Sequence, residues 1–184
     1  MEKRSVYLVI SHSGTFVSNV VRLITGDRYS HVSISLDAAL MKMYSFGRRK
    51  AYNPFIGRFV CESRDSGIFK RFTKTEVEVI KLDIPKEKYD AIKAELEAMY
   101  EERESYKYNY MGLFLAAIGK TRTKDKRFYC SEFLDHLFKK HGIEGYKNDN
   151  KIKKPVHFLN IEGSENVYKG VLTEYPRLEV SEEG

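Results

Sequence analysis

Residues 127–133 (RFYCSEF) mark the junction between a basic loop and a helical pattern, and this junction decides the predicted fold. The apolar residues that follow recur at helical spacing: Phe133, Leu134, Leu137 and Phe138. We therefore predict a helix over 131–141, ended by Gly142, with Cys130 at its N-terminus. Partial positive charge there stabilises a thiolate, so Cys130 is the candidate nucleophile. A small buried cysteine is the equally weighted alternative, because free cysteine is among the most buried residue types.

A second chemically useful side chain lies on an extended stretch earlier in the chain, 29–34 (YSHVSI). Its apolar residues alternate, so His31 falls on the strand face opposite to Val32 and Ile34. An imidazole held on a strand is rigid, and near neutral pH it both takes and returns a proton. A surface histidine is the commoner case for this residue taken alone. We expect His31 to serve as the base for Cys130.

The rest of the pattern predicts strands first, then helices, then one late strand. Expected strands cover 5–10, 30–36, 41–46, 59–62, 68–72, 76–82 and 167–172. Expected helices cover 16–24, a segment opened by Pro85, 111–118 and 131–141. This order predicts an α+β fold in which helices pack on one side of a small antiparallel sheet.

Length and composition favour one domain over 1–184, with 174–184 as a flexible tail. The chain is 42% hydrophobic and 32% charged, which is typical of a folded soluble protein. Two cysteines do not make a disulfide framework. The apolar run 6–10 is too short for a signal peptide, and no stretch approaches the roughly 18 apolar residues of a membrane span. We expect a cytoplasmic protein without a transmembrane segment.

The net charge of +6 favours an acidic partner, but acidic residues interrupt the basic ones, as in 120–126 (KTRTKDK). No nucleic-acid-binding motif accompanies them, so nucleic acid is not the expected partner. No pair of cysteines is spaced for zinc, and His136 and His141 are not aligned as ligands, so no metal is expected. Glycine-rich phosphate loops are absent, and no cofactor is expected.

The order of the two motifs, 29–34 in an early strand and 129–133 (YCSEF) at a late helix, resembles the permuted NlpC/P60 superfamily of papain-like cysteine hydrolases. More narrowly, it is similar to the YiiX/YaeF branch, whose relatives include the lecithin:retinol acyltransferase-like enzymes. The resemblance covers about residues 6–141. It implies a permuted papain-like fold with the cysteine helix packed on the sheet, and thioester chemistry by Cys130 and His31.

The family places a third polar residue on the strand after the histidine strand, where it orients the imidazole. Here that strand, 41–46 (MKMYSF), carries no His, Asp, Glu or Asn, which departs from the family pattern. We expect Ser45 to be the orienting residue, with Glu62 as the alternative. A serine holds the ring but stabilises imidazolium less than a carboxylate would.

The loop predicted over 47–57 (GRRKAYNPFIG) is the expected substrate-facing segment. Arg48 offers a charge for an acidic group, while Tyr52 and Phe55 offer an apolar wall. Tyr129, beside the nucleophile, completes the expected binding residues. A solvated turn with an aromatic anchor is an equally weighted alternative for the loop. His12, in the turn after the first strand, is also within possible reach of the site.

The first functional hypothesis is a cysteine peptidase or amidase that cleaves an amide or ester through a thioester. Its substrate would be a small molecule, a peptide or an acyl compound. The alternatives are a thiol acyltransferase acting on lipid-like acyl groups, and a non-catalytic binding module on the same fold. A basic nucleic-acid-binding domain is a third class, and it predicts binding that weakens steeply with salt.

Overall fold

A computed structural model describes residues 2–14, 19, 22, 26–50, 53–117, 119–120, 122, 125–147 and 149–177, with the backbone alone at 48–50, 53–56 and 117. The described strands are β1 (Lys3–His12), β2 (His31–Ser35), β3 (Met43–Lys50), β4 (Asn53–Glu62), β5 (Glu76–Pro85), β6 (Lys107–Tyr108), β7 (Arg127–Phe128) and β8 (Ser164–Val171). The described helices are α1 (Gly67–Arg71), α2 (Lys86–Glu101), α3 (Tyr110–Ala117) and α4 (Cys130–Lys140). Among these four, none has the length and apolar character to cross a bilayer.

Six strands form one antiparallel sheet in the order β4-β3-β2-β1-β5-β8. The central pair, β1 and β5, is in register from Lys3↔Pro85 to His12↔Glu76. Its β-branched and aromatic residues suit a pleated surface that is covered on both sides. The short strands β6 and β7 pair in parallel, apart from the main sheet. The predicted α+β class with an antiparallel sheet is confirmed.

The two longer helices cover one face of the sheet. Val6, Leu8 and Ile10 alternate along β1 and point toward this face, where the buried residues of α2 and α4 pack on them. On α2 the buried positions are Ile92, Leu96 and Met99, which is the apolar stripe that the sequence predicts.

The opposite face is also covered, which the expectation of helices on one side did not include. Val9, Val77 and Val79 point to it, and the short helix α1 places Phe69 against them. Tyr175, near the end of the described chain, belongs to the same cluster. Both faces of the sheet therefore carry buried residues, while Lys3 and Asp83, farther along the face of α1, are exposed.

An aromatic cluster holds α4 against β3 and β4. The ring of Phe46 lies 5.4 Å from those of Phe59 and Phe128, and 5.3 Å from that of Phe133. Phe46 and Phe59 are fully buried. Such ring pairs add to the free energy gained by burying their surface. The cluster fixes the start of α4, and with it Cys130, relative to the sheet.

Three local predictions differ from the structure. The strand predicted over 68–72 is wrong: Gly67–Arg71 is helix α1, whose first residue, Gly67, has φ +58° and which buries Phe69. A five-residue segment is too short for its apolar period to distinguish helix from strand. The loop predicted over 47–57 is wrong as well, because β3 continues to Lys50 and β4 begins at Asn53.

The third difference concerns the tail predicted to begin at 174. Tyr175 is buried, and its hydroxyl donates to the carbonyl of Ala38 at 2.9 Å. Arg64 donates to the carbonyl oxygens of Tyr175 and Pro176 at 2.7 and 2.8 Å. The chain is therefore anchored as far as Pro176, while 178–184 and most of the helix predicted over 16–24 lie outside the described residues.

We predict that Phe46→Ala lowers the free energy of unfolding by about 3–5 kcal/mol, because it removes the ring at the centre of the aromatic cluster. The matched control is Phe114→Ala on α3, where the side chain is 60% exposed and the expected change is within about 0.5 kcal/mol. Urea unfolding of both variants measures the difference. Equal losses would show that the cluster does not hold the fold.

Candidate functional site

Cys130 is the first residue of α4 and is only 3% exposed. Its neighbours in the core come from the sheet and from α4 itself. Backbone hydrogen bonds from Val32, Ser131 and Cys130 itself favour the charged form of the sulfur. The cysteine thus lies where the predicted helix start placed it, inside a ring of backbone donors.

The thiol of Cys130 is harder to ionise in the structure than the helix N-terminus suggests. Burial raises the pKa of Cys130 above its ordinary value, and the hydrogen bond from Val32 is the largest of the opposing contributions. The helix dipole taken alone predicts a stabilised thiolate. Desolvation of a fully buried sulfur outweighs that dipole, so the resting group is a neutral thiol.

The contact between Cys130 and Val32 depends on a fork in the sheet. The described pairing of β2 with β3 covers Ile34↔Tyr44 and Ser35↔Met43 and stops there. At Val32 the backbone hydrogen bond goes to the cysteine instead of to β3. The start of α4 therefore meets β2 where the two strands separate, one residue from His31.

His31 is half-buried and lies directly across from Ser11 of β1. Ser11 alternates with Tyr7 and Val9, which face the layer formed by α1 and Tyr175. His31 consequently points to the face opposite to the one that α4 covers. The fork between β2 and β3 lies beside Cys130.

His12 lies at the same end of the sheet as His31, but its side chain is on the opposite face, the one that α4 covers. It alternates with Leu8 and Ile10, which pack toward α4. Its Nδ1 is 3.5 Å from the hydroxyl oxygen of Ser30. Burial, and after it the charge of Arg22, lowers the pKa of His12. The structure thus supplies a second imidazole near the start of β2, held in its neutral form.

The two predicted orienting residues share the face of His31. A Cβ atom built on Gly47 would lie 3.3 Å from Val60 Cγ2, 3.5 Å from Ser45 Oγ and 3.8 Å from Glu62 Oε2, so Ser45 and Glu62 both lie next to Gly47. The hydroxyls of Ser45 and Ser33 are buried and make no hydrogen bond within the described part of the chain. Buried polar groups are normally paired, so these two hydroxyls are exceptions that lie on the same face as His31.

The predicted substrate residues divide into two groups. The side chains of Arg48 and Phe55, and all of Tyr52, lie outside the described residues. Tyr129 is described and is almost completely buried, next to the backbone of Lys153, and burial raises the pKa of its phenol. Tyr129 is therefore part of the wall around the start of α4.

Asn109 and Glu132 anchor the start of α4, and the sequence analysis did not identify either. The Glu132 carboxylate accepts the backbone N–H of Tyr129 at 3.3 Å and the Asn109 amide at 3.2 Å. The Asn109 amide also donates to the carbonyl of Arg122 at 2.9 Å. Glu132 follows Tyr129 by three residues, the spacing at which a side chain reaches back to cap a helix, and this spacing was the available signal.

Metal ligands are not grouped near this site: the described residues contain no cluster of three or more His, Cys, Asp or Glu side chains able to hold a metal ion. In comparisons with known proteins, no family model, no curated protein and no solved structure matches this chain. The chemistry of the site must therefore be argued from its own geometry.

We predict that the stability advantage of the wild type over Cys130→Ala shrinks as the pH rises. Above about pH 8.5 the unfolded thiol loses its proton while the buried thiol keeps it, so folding becomes less favourable. Between about pH 7.5 and 9.5 the difference in unfolding free energy should fall by about 1 kcal/mol.

Urea unfolding at the two pH values measures this change. Cys61→Ala is the comparison variant, because Cys61 is only half-buried and its pKa is raised by burial but opposed by Tyr44. A difference for Cys130→Ala that stays constant with pH would show that its thiol ionises as it does in the unfolded chain.

Proposed function

We propose that the chain is a thiol hydrolase, a peptidase or amidase that cleaves an amide or ester through a thioester on Cys130. The observation that carries this proposal is the position of Cys130: its thiol lies at the start of a helix among backbone donors, and one of these donors is Val32, the residue next to His31 on β2. Buried structural cysteines need no such arrangement. A nucleophile that forms a tetrahedral oxyanion does.

In the proposed reaction the imidazole of His31, which points to the opposite face in the structure, turns through the fork between β2 and β3 and accepts the proton of the thiol. The thiolate attacks the carbonyl carbon, and a C–S bond forms while the carbonyl oxygen becomes negative. The N–H groups of Cys130 and Ser131 stabilise that oxyanion. The C–N or C–O bond then breaks, His31 returns the proton to the leaving group, and water hydrolyses the thioester with His31 again as base.

The raised pKa of Cys130 fits this order of events. A neutral resting thiol is a weak nucleophile, so the base must remove the proton at the moment of attack. This requirement makes the reaction depend on the imidazole at every turnover. It also protects the sulfur from oxidation between turnovers, because only the thiolate reacts readily.

Ser45 and Glu62 are the proposed positioning residues for His31. Both lie on the same face of the sheet as His31, next to Gly47. The unpaired hydroxyl of Ser45 supports a role in which its partner arrives only when the imidazole turns toward the fork. Glu62 is the alternative, and its carboxylate would stabilise the imidazolium more strongly.

The permuted papain-like fold is part of the same proposal. Support comes from the chain order, in which β2 with His31 precedes α4 with Cys130, and from the packing of α4 on β2 and β3. We also propose a cytoplasmic location, since Cys61 and Cys130 are both free thiols and a reducing compartment preserves them.

A non-catalytic binding module on this fold is the second candidate. The low exposure of Cys130 and its raised pKa favour it, because a purely structural cysteine has the same properties. Only a chemical test of the thiol distinguishes the two.

The decisive test is acylation by p-nitrophenyl acetate, a small ester whose nitrophenolate is coloured. We predict a burst of nitrophenolate with an acetyl group on Cys130, located by peptide mass spectrometry, and no burst in Cys130→Ala. His31→Ala should slow acylation about 100-fold or more, because it removes the general base. The matched control is His136→Ala. His136 is an exposed histidine on α4, the helix that begins with Cys130, and its loss should leave the acylation rate unchanged.

The outcomes separate the hypotheses. Loss of the burst in His12→Ala but not in His31→Ala would assign the base to His12 and overturn the role of His31. A folded wild type that shows no acetyl adduct on Cys130 would support the binding module and overturn the hydrolase.

We predict that Ser45→Ala slows acylation about tenfold, the equivalent of one lost hydrogen bond of about 1.4 kcal/mol. If Ser45 orients His31, the acidic limb of the pH–rate profile, which reports the protonation of His31, should also shift along the pH axis. A variant that only destabilises the fold would not shift this limb. Glu62→Gln is measured in parallel, and Ser105→Ala, at an exposed serine, is the matched control. A shifted limb in Glu62→Gln alone would transfer the positioning role to Glu62.

A further inference from the structure

A cleft of about 480 Å³ lies along the outer side of α4. Its walls come from three separated parts of the chain: α4 itself, the segment around 120–122 that follows α3, and residues 151–153. Phe128 and Tyr129 supply apolar surface next to the start of the helix. Nothing in the proposed thiol chemistry uses this cleft.

The cleft and the cysteine occupy opposite sides of α4. Cys130, Phe133 and Leu137 face the core, whereas Glu132 and Lys139 face the cleft. The helical period separates these two sets. The cleft is therefore a second site, and what it binds does not depend on whether Cys130 is a nucleophile.

Charge is the distinctive property of the cleft. Six cationic side chains line it: Lys120, Arg122, Lys139, Lys140, Lys151 and Lys153. Only two carboxylates, Glu132 and Asp135, lie among them. The lining therefore carries more positive than negative charge, with six cations against two carboxylates.

The two carboxylates are already engaged within the fold. Asp135 contacts Lys139 at 3.2 Å and Lys153 at 3.5 Å, and it accepts the hydroxyl of Tyr146 at 2.8 Å. Glu132 caps α4, and burial raises its pKa, which weakens it as a counter-charge. Asp135 is thus shared between two of the six cations, and Glu132 is occupied by backbone and amide donors.

Three cations of the lining have no counter-charge among the residues that the structure describes. Lys120, Arg122 and Lys151 form no ion pair with any part of the chain that the structure describes, whereas Lys140 is paired with Glu95 at 2.8 Å. Like charges held around one cleft repel each other, and an anion that neutralises several of them at once relieves this repulsion. An arginine among them offers two parallel donors to a phosphate group.

We propose that this cleft binds a phosphorylated small molecule that carries at least two phosphate groups. A ligand with several phosphate groups can pair with several of these cations at once. A ligand with a single carboxylate cannot. The volume of the cleft is in the range of small-molecule sites, so a compact ligand fits it better than a flat polymer surface. The apolar surface of Phe128 and Tyr129 contacts the uncharged part of the ligand.

The experiment measures binding of inorganic tripolyphosphate to the full chain by isothermal titration calorimetry. The wild type should bind one equivalent saturably. The double variant Arg122→Ser/Lys151→Ser should lose at least tenfold in affinity. The control double variant, Lys74→Ser/Lys93→Ser, removes the same charge from exposed positions that do not line the cleft and should stay within twofold of the wild type.

Equal losses in the two double variants would mean that net charge alone attracts the anion, and the proposal would fail. It would also fail if a single-stranded oligothymidylate bound at least tenfold more tightly than tripolyphosphate through the same two residues, because the occupant would then be nucleic acid. Thermal unfolding of each variant without ligand confirms that a loss of affinity is not a loss of fold. Acylation of Cys130 is measured separately, and its outcome leaves this result unchanged.

Discussion

The contact between the start of α4 and the open edge of β2 is the constraint on which the rest of the site depends. Because the described pairing of β3 with β2 does not extend to Val32, the backbone of Val32 bonds to Cys130 on that side, while Val32 stays paired with Ile10 of β1 on the other. The aromatic cluster around Phe46 holds the helix in that position. Without the fork, the cysteine would be an ordinary buried residue under a continuous sheet.

Burial and the helix terminus act on the same sulfur in opposite directions, and burial is stronger. A helix terminus contributes up to about 2 kcal/mol, whereas complete desolvation of a charge costs more. The site therefore combines a neutral thiol with oriented backbone donors. Such a combination suits a reaction in which charge exists only during the chemical step, and it makes the imidazole at the fork indispensable to the proposed chemistry.

Helix α4 serves two environments because its two sides carry different residues. The core side buries the sulfur and aromatic rings, while the outer side carries Lys139 and the two engaged carboxylates. Part of the net charge of +6 therefore lies in the cleft beside this helix, where Lys120, Arg122 and Lys151 have no ion pair among the described residues. Basic and acidic residues are interleaved along the sequence, but the fold brings basic side chains together in this cleft.

The sequence by itself determined the elements whose signal is local and long: the α+β class, helix α2 with its apolar stripe, helix α4 and the placement of Cys130 at its start. It could not determine α1, because five residues carry no readable period, or the anchoring of Tyr175 by Arg64 across the fold. Only the tertiary structure assembled the fork, the face of His31 and the basic cleft. Each of these features brings together residues that are distant in sequence. The spacing of residues within one segment does not show which distant segments pack against it and exclude water from it.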